Sequence, residues 1–253
     1  MNNSVYNFYK NQGWKKNKKH TIDSILYEDL RNVAKKYVSN TRKRVLKFLP
    51  NKGERILDFA SGPIQYPEYK LYSKNFKHRY CVDFSKEAIQ KARKVLKKHG
   101  KFFCNNFLNI RFKNNFFDST ISLHTIYHLK KYDQKKAINK MIDVTKKGCP
   151  IIIVYSNPKN IFYYIKKIIN YKSKKGNIYF HCFENKWWYQ FKKRAKIKIY
   201  PQRSFTAQHQ KLLFPDNLIG KIMFEVLFKL EKLLPSFFSR YFQYNIIVLI
   251  KDN

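Results

Sequence analysis

The chain has 253 residues, 44% of them hydrophobic, which suits one domain with elaborations around a sizeable core and excludes wholesale disorder. Lys and Arg number 53 against 16 Asp and Glu, a formal net charge of +37. That excess fits an anionic partner, either nucleic acid or an anionic membrane surface, or else compositional drift toward Lys.

In chain order, Met1 to Lys19 is polar and basic and lacks the apolar stretch of a secretory signal. Four scattered cysteines (Cys81, Cys104, Cys149, Cys182) form no C-x-x-C pair, which argues against a disulfide framework or a zinc site. Both features fit the cytoplasm, and the charge also fits a peripheral position on the inner face of a membrane. Ile22, Ile25, Leu26, Leu30, Val33, Ala34, Tyr37 and Val38, then Val45, Leu46 and Leu49, have helical spacing, so 22–49 is expected to be helical up to Pro50. Short apolar strands are expected at 55–58, 80–83, 102–104, 119–123 and 150–155. Helices alternate with them: one starts at Ser85, a suitable N-cap, and one covers 133–146, ending before Gly148. Residues 158–195 are basic and aromatic without a clear strand. A sixth strand is expected at 196–200, an amphipathic helix at 218–234, and a last strand at 244–250. This rhythm predicts an α/β fold with a parallel sheet covered by helices on both faces. It divides the chain into an N-terminal helical segment (1–50), a core (51–156), a cap with strand six and the amphipathic helix (157–243), and a final core strand (244–253).

In such a sheet, ligands sit beyond the carboxyl ends of the strands where the strand order switches. After the first strand, Asp58-Phe59-Ala60-Ser61-Gly62-Pro63 has small residues that let a ligand approach the backbone, and Gly62 has conformational freedom there. Asp83 ends the second strand 25 residues after Asp58, where a carboxylate can accept from both hydroxyls of a ribose.

Residues 55–155 resemble the core of class I methyltransferases that use S-adenosylmethionine (SAM), in the small-molecule, type 11-like subgroup. Leu57 to Ile64 matches the Asp and central Gly of the first motif, with Ala60 and Ile64 standing where glycines are usual; Ile64 implies a differently shaped turn. Val82-Asp83-Phe84-Ser85 matches the second motif. Asn106 to Phe112 resembles the stretch whose acid reads the adenine amino group, here with Asn106 in its place. Phe116 to Leu129 resembles the fourth-strand motif, and Lys146-Lys147-Gly148 the turn after it. The resemblance implies a Rossmann-like sheet of about seven strands with an antiparallel last strand and a helical, aromatic cap. It implies SAM as cofactor, bound by Asp58, Ala60, Gly62, Asp83, Phe84, Asn106, Phe107 and His124.

Methyl transfer is an in-line displacement, so the enzyme positions the acceptor and removes a proton where needed. His124 and His128 follow strand four and are the candidate bases. They are four residues apart, but the Glu of H-E-x-x-H is missing and no third ligand is nominated, so no metal is expected. Candidate substrate contacts are Tyr127, Trp188 and Arg203, within a cap that also holds Trp187, Tyr189 and His209. The 218–234 helix reads as core packing, and Asn160 to Lys175 as a segment able to lie on an anionic membrane. The expected function is methylation of a small-molecule or lipid- or sugar-linked acceptor. Two alternatives are an RNA or DNA methyltransferase, supported by the charge, and a non-catalytic SAM-fold or membrane-surface scaffold.

Overall fold

The computed structural model describes residues 3–169 and 178–252. Seven strands form one sheet: β1 Gly53–Phe59, β2 Phe76–Asp83, β3 Gly100–Cys104, β4 Ser119–Leu123, β5 Pro150–Ser156, β6 Ala195–Arg203 and β7 Tyr244–Lys251. Their spatial order is β3-β2-β1-β4-β5-β7-β6. Six strands run in one direction, and β7 inserts antiparallel to them between β5 and β6. The expected Rossmann-like α/β sheet with an antiparallel last strand is therefore present.

The reason is legible in the side-chain alternation. Ile151, Ile153 and Tyr155 of β5 join one core layer with Leu57, Phe59, Ile247 and Leu249. Ile152 and Val154 join the opposite layer with Ile56, Ile246 and Val248. A strand buried on both faces favours apolar residues on both, which is why β5 reads as a continuous apolar run.

The helices are α1 Asn3–Phe8, α2 Ile22–Tyr27, α3 Asn32–Lys43, α4 Pro67–Leu71, α5 Lys86–Leu96, α6 Lys131–Val144, α7 Ile161–Ile168, α8 Ala207–Leu213, α9 Leu218–Leu233 and α10 Pro235–Tyr241. Ser85 caps α5, accepting from the Ala88 N–H at 3.2 Å. α6 covers the first layer through Ala137, Ile138, Met141 and Ile142. It ends before the expected 146 because Thr145 leaves the helix to bridge Phe117.

Two expectations need correction. The helix over 22–49 is broken after Tyr27, because Glu28 and Asp29 turn inward to pair with arginines; only α2, α3 and a 3₁₀ turn at Arg44–Phe48 are helical. The amphipathic helix, here α9, turns Gly220, Phe224, Leu227 and Glu231 inward, so that of its periodic apolar stripe Leu227 alone is buried. The helical cap that the resemblance implies is present as α7, α8, α9 and α10. Of the Asn160 to Lys175 segment, 170–175 lies outside the described residues.

Candidate active site

The strand order reverses between β1 and β4, and a cavity of about 520 Å³ opens at their carboxyl ends. Its first wall is the turn after β1. Ala60, Gly62 and Ile64 all adopt left-handed backbone, with φ of 56°, 58° and 53°. The turn keeps left-handed residues at the three alternating positions, although two carry side chains that strain this conformation. Ile64 tolerates it because its side chain is buried against Ile89, Ala92 and Leu96.

Asp83 closes the same wall from the end of β2. Its Oδ2 accepts the Gly62 N–H at 2.9 Å and its Oδ1 accepts the Ser85 N–H at 2.8 Å. Burial pushes its carboxyl up to about 6, against the pull of these two N–H groups. Asp58 is also at the cavity, but both of its hydrogen bonds go to the guanidinium of Arg79 across the β1–β2 pair. Both bonds fall on Oδ2, which the buried Arg79 needs as its partner. Phe84 lines the cavity and meets the ring of Tyr6, with centroids 5.4 Å apart.

After β3, Asn106 caps a 3₁₀ turn, its Oδ1 accepting the Leu108 N–H at 3.1 Å. Phe107 stacks on Phe59 with centroids 4.3 Å apart. Both residues line the cavity beside the β1 turn.

The two histidines after β4 differ in state. His124 has φ of 58° and its Nδ1 lies 3.2 Å from the Tyr127 hydroxyl. Burial, reinforced by Arg203 against a smaller opposing pull from Glu28, depresses it to about 3. It is therefore a neutral ring at any physiological pH. The His128 Nδ1 donates to the Tyr179 carbonyl at 2.8 Å, since a carbonyl can only accept. That bond leaves Nε2 unprotonated in the neutral ring. Burial lowers His128 as well.

The far end of the cavity is polar. Arg203, at the end of β6, donates to Glu28 Oε2 at 2.6 Å, and Arg42 lies 3.2 Å from Glu28 Oε1. Burial alone would raise Glu28, but the two guanidinium groups outweigh it and hold the carboxyl below its usual range. The Arg203 guanidinium lies 5.1 Å from the centre of the Tyr244 ring. Tyr127, His124, His128, Arg203 and Tyr244 all line this end. Trp188 does not. It is fully buried behind the sheet, edge-on to Tyr155 and Trp187. Its expected substrate contact is corrected to core packing. Among the described residues, no three His, Cys, Asp or Glu side chains gather where a metal ion could sit.

An N-terminal arm completes the enclosure. Val5, Tyr9 and Trp14 line the cavity, and a Cβ on Gly62 would meet Trp14 at 3.3 Å. Tyr9 donates to Asp23 at 3.0 Å, and Gln65 donates to the other oxygen of Asp23 at 3.1 Å. Sequence reasoning missed Tyr9, Trp14, Asp23 and Glu28. One signal existed: in a chain so poor in acids, Glu28 and Asp29 interrupt an apolar helical run.

Residues 57–153 match a family described as a methyltransferase domain. No curated protein matches the chain. Among solved structures it is similar to the N-methyltransferase NodS of Bradyrhizobium japonicum in complex with S-adenosyl-L-homocysteine. That likeness has 10% identity, covers 99% of each chain and has a TM-score of 0.58. A SAM-dependent methyltransferase from Archaeoglobus fulgidus aligns at 15% identity and TM-score 0.56, covering 86% of this chain and 94% of that one. Geranyl diphosphate C-methyltransferase from Streptomyces coelicolor, in complex with Mg2+, geranyl diphosphate and S-adenosyl-L-homocysteine, aligns at 12% identity and TM-score 0.56. The coverage there is 84% of this chain and 77% of that one. At these identities the structural likenesses speak to the fold.

Proposed function

From the premise that residues 57–153 are a class I methyltransferase domain with SAM as its cofactor, we propose an active enzyme. Its acceptor is a small molecule, or the head of a lipid- or sugar-linked one. The observation that supports this most is continuity. One cavity joins the left-handed turn and Asp83 at one end to His128, Arg203 and Tyr244 at the other.

The residues at the first end fit the cofactor. Each oxygen of Asp83 has accepted one backbone N–H and keeps a lone pair for a ribose hydroxyl. The small residues of the 60–62 turn leave room for the cofactor to approach the backbone. Asn106 retains a second lone pair and its NH2 group for the adenine edge, and Phe107 supplies an apolar wall. When bound, SAM supplies an electrophilic methyl group on a sulfonium that is its own leaving group.

The residues at the second end handle the acceptor. His128 is the proton acceptor, because its Tyr179 bond fixes Nε2 as the basic nitrogen. His124, too weakly basic for that task, orients the Tyr127 hydroxyl. Arg203 and Tyr244 grip the acceptor. In this reading 51–156 holds the cofactor, 157–243 with the last strand holds the acceptor, and the N-terminal segment closes the cavity. A cavity narrowed by the arm favours a small group over a nucleic-acid strand.

Calorimetric titration with SAM and with its demethylated product tests the reading. Micromolar binding of both is the expected result. A folded, monodisperse sample that binds neither would sink it.

A further inference from the structure

The periodicity of α9 predicts a buried apolar face, yet the structure buries another one. Phe224 stacks on Tyr37 of α3 at 5.0 Å, and Glu231 pairs with Arg44 at 2.8 Å. Ile219, Ile222, Val226, Leu230 and Leu233, one stripe by spacing, are left facing solvent, with Ile219 62% and Leu233 74% exposed. The adjoining helices repeat the pattern. Leu212 of α8 is 79% exposed and Ile168 of α7 is 83% exposed, and α7 buries no residue at all. Ring stacks tie the three helices together. Phe162 lies on His209 at 3.6 Å, and Phe214 lies on Phe224 at 4.3 Å. A continuous apolar stripe left in water is unfavourable, and on soluble chains it marks an interaction surface.

The charges around the stripe select what covers it. α9 carries Lys221, Lys229 and Lys232, and α8 carries Lys211. The two carboxylates of α9 are already paired, Glu225 with Lys36 and Glu231 with Arg44. α7 and α8 contain no acid. A second copy of the chain would press lysines against lysines. A nucleic acid would answer the lysines and leave the stripe in water. An anionic bilayer meets both needs, with phosphates at the lysines and apolar side chains in the acyl boundary.

We propose that the α7–α8–α9 surface docks on an anionic phospholipid bilayer. The helices lie in the interface plane; among the described residues none is long and apolar enough to cross a membrane. α8 also gives Ala207 and Gln208 to the wall of the cavity. Docking surface and cavity therefore share a helix, and the acceptor is a lipid-anchored molecule whose head reaches Arg203. That assignment of the acceptor rests on the proposed function, whereas the docking does not.

The test is co-sedimentation of the full chain with vesicles of phosphatidylcholine alone or mixed equally with phosphatidylglycerol. In ~0.1 M salt, the bound fraction on the anionic vesicles is expected to be about tenfold higher and to fall as salt rises. The triple variant Ile219→Gln, Leu230→Gln, Leu233→Gln alters only exposed positions. It should reduce binding to anionic vesicles about tenfold, with an unchanged melting midpoint. Equal binding by variant and wild type would overturn the proposal, as would indifference of the wild type to anionic lipid. So would a wild-type dimer that the triple variant turns into a monomer, or RNA binding that anionic vesicles fail to compete away. SAM titration of the same samples separates the two readings: intact SAM binding without docking removes the bilayer alone, and docking without SAM binding removes the enzyme alone.

Discussion

At the proposed cofactor end of the cavity, shape resides in the backbone. Ala60, Gly62 and Ile64 keep left-handed φ angles whatever side chain they carry, and Asp83 is held by N–H groups of the neighbouring main chain. At the proposed acceptor end, shape resides in buried charges. Arg203, Glu28 and Arg42 come from β6, the break after α2, and α3, and their pairing ties those elements together. A backbone-built site keeps its shape when a side chain is substituted, whereas a charge-built site loses its shape when one partner is removed.

The sharpest way to break this contrast is Glu28→Ala. It would leave two buried guanidinium groups facing each other, and loss of one partner of a buried pair costs about 3–5 kcal/mol. Urea unfolding should show that loss, while SAM affinity in the surviving folded protein stays within about a factor of two. A loss below ~1 kcal/mol would mean the pair is solvated and the contrast wrong.

Next in size is Asp83→Ala, expected to weaken SAM binding about a hundredfold, or ~2.7 kcal/mol, with the fold intact. The ionised form of Asp83 is the one that accepts from ribose hydroxyls. With the carboxyl at about 6, SAM affinity should be full above pH 6 and fall about tenfold per unit below it. For the ligand-free protein the sign is opposite. The folded value lies above the ordinary 3.8, so this group favours folding most below that value and loses the effect as pH rises through 6. A calorimetric pH series that is flat from 5 to 7 would remove the ribose assignment.

The smallest expected effect is Ala60→Gly, a gain of about 0.5–1 kcal/mol from relief of a left-handed alanine. Thermal unfolding would show it as a raised midpoint; a lowered midpoint would mean that the Ala60 methyl packs too well to lose. Ile64→Gly should go the other way, because the lost burial against Ile89 and Leu96 outweighs the same relief.

Much of the fold was legible in the chain. Strand β5 falls where its apolar run lies, because burial on both faces writes itself directly into composition. Ser85 and the break before Gly148 were equally local signals. The site was half legible. Asp83, Phe107, His124, His128 and Arg203 do converge on one cavity. Asp58 lines it too, whereas Trp188 misleads, since an aromatic residue carries no record of which way it points.

Local periodicity and strand-end residues thus determined the alternation of strands and helices and the end of the sheet at which a ligand is expected, because each depends on neighbours a few residues away; the antiparallel last strand followed from the family resemblance. The tertiary structure decided which stripe of α9 faces inward, which histidine keeps a basic nitrogen, and what neutralises Arg203. Those outcomes depend on partners far along the chain: Glu28 lies 175 residues from Arg203, and Tyr179 lies 51 residues from His128. A side chain meets such partners only after the sheet has formed.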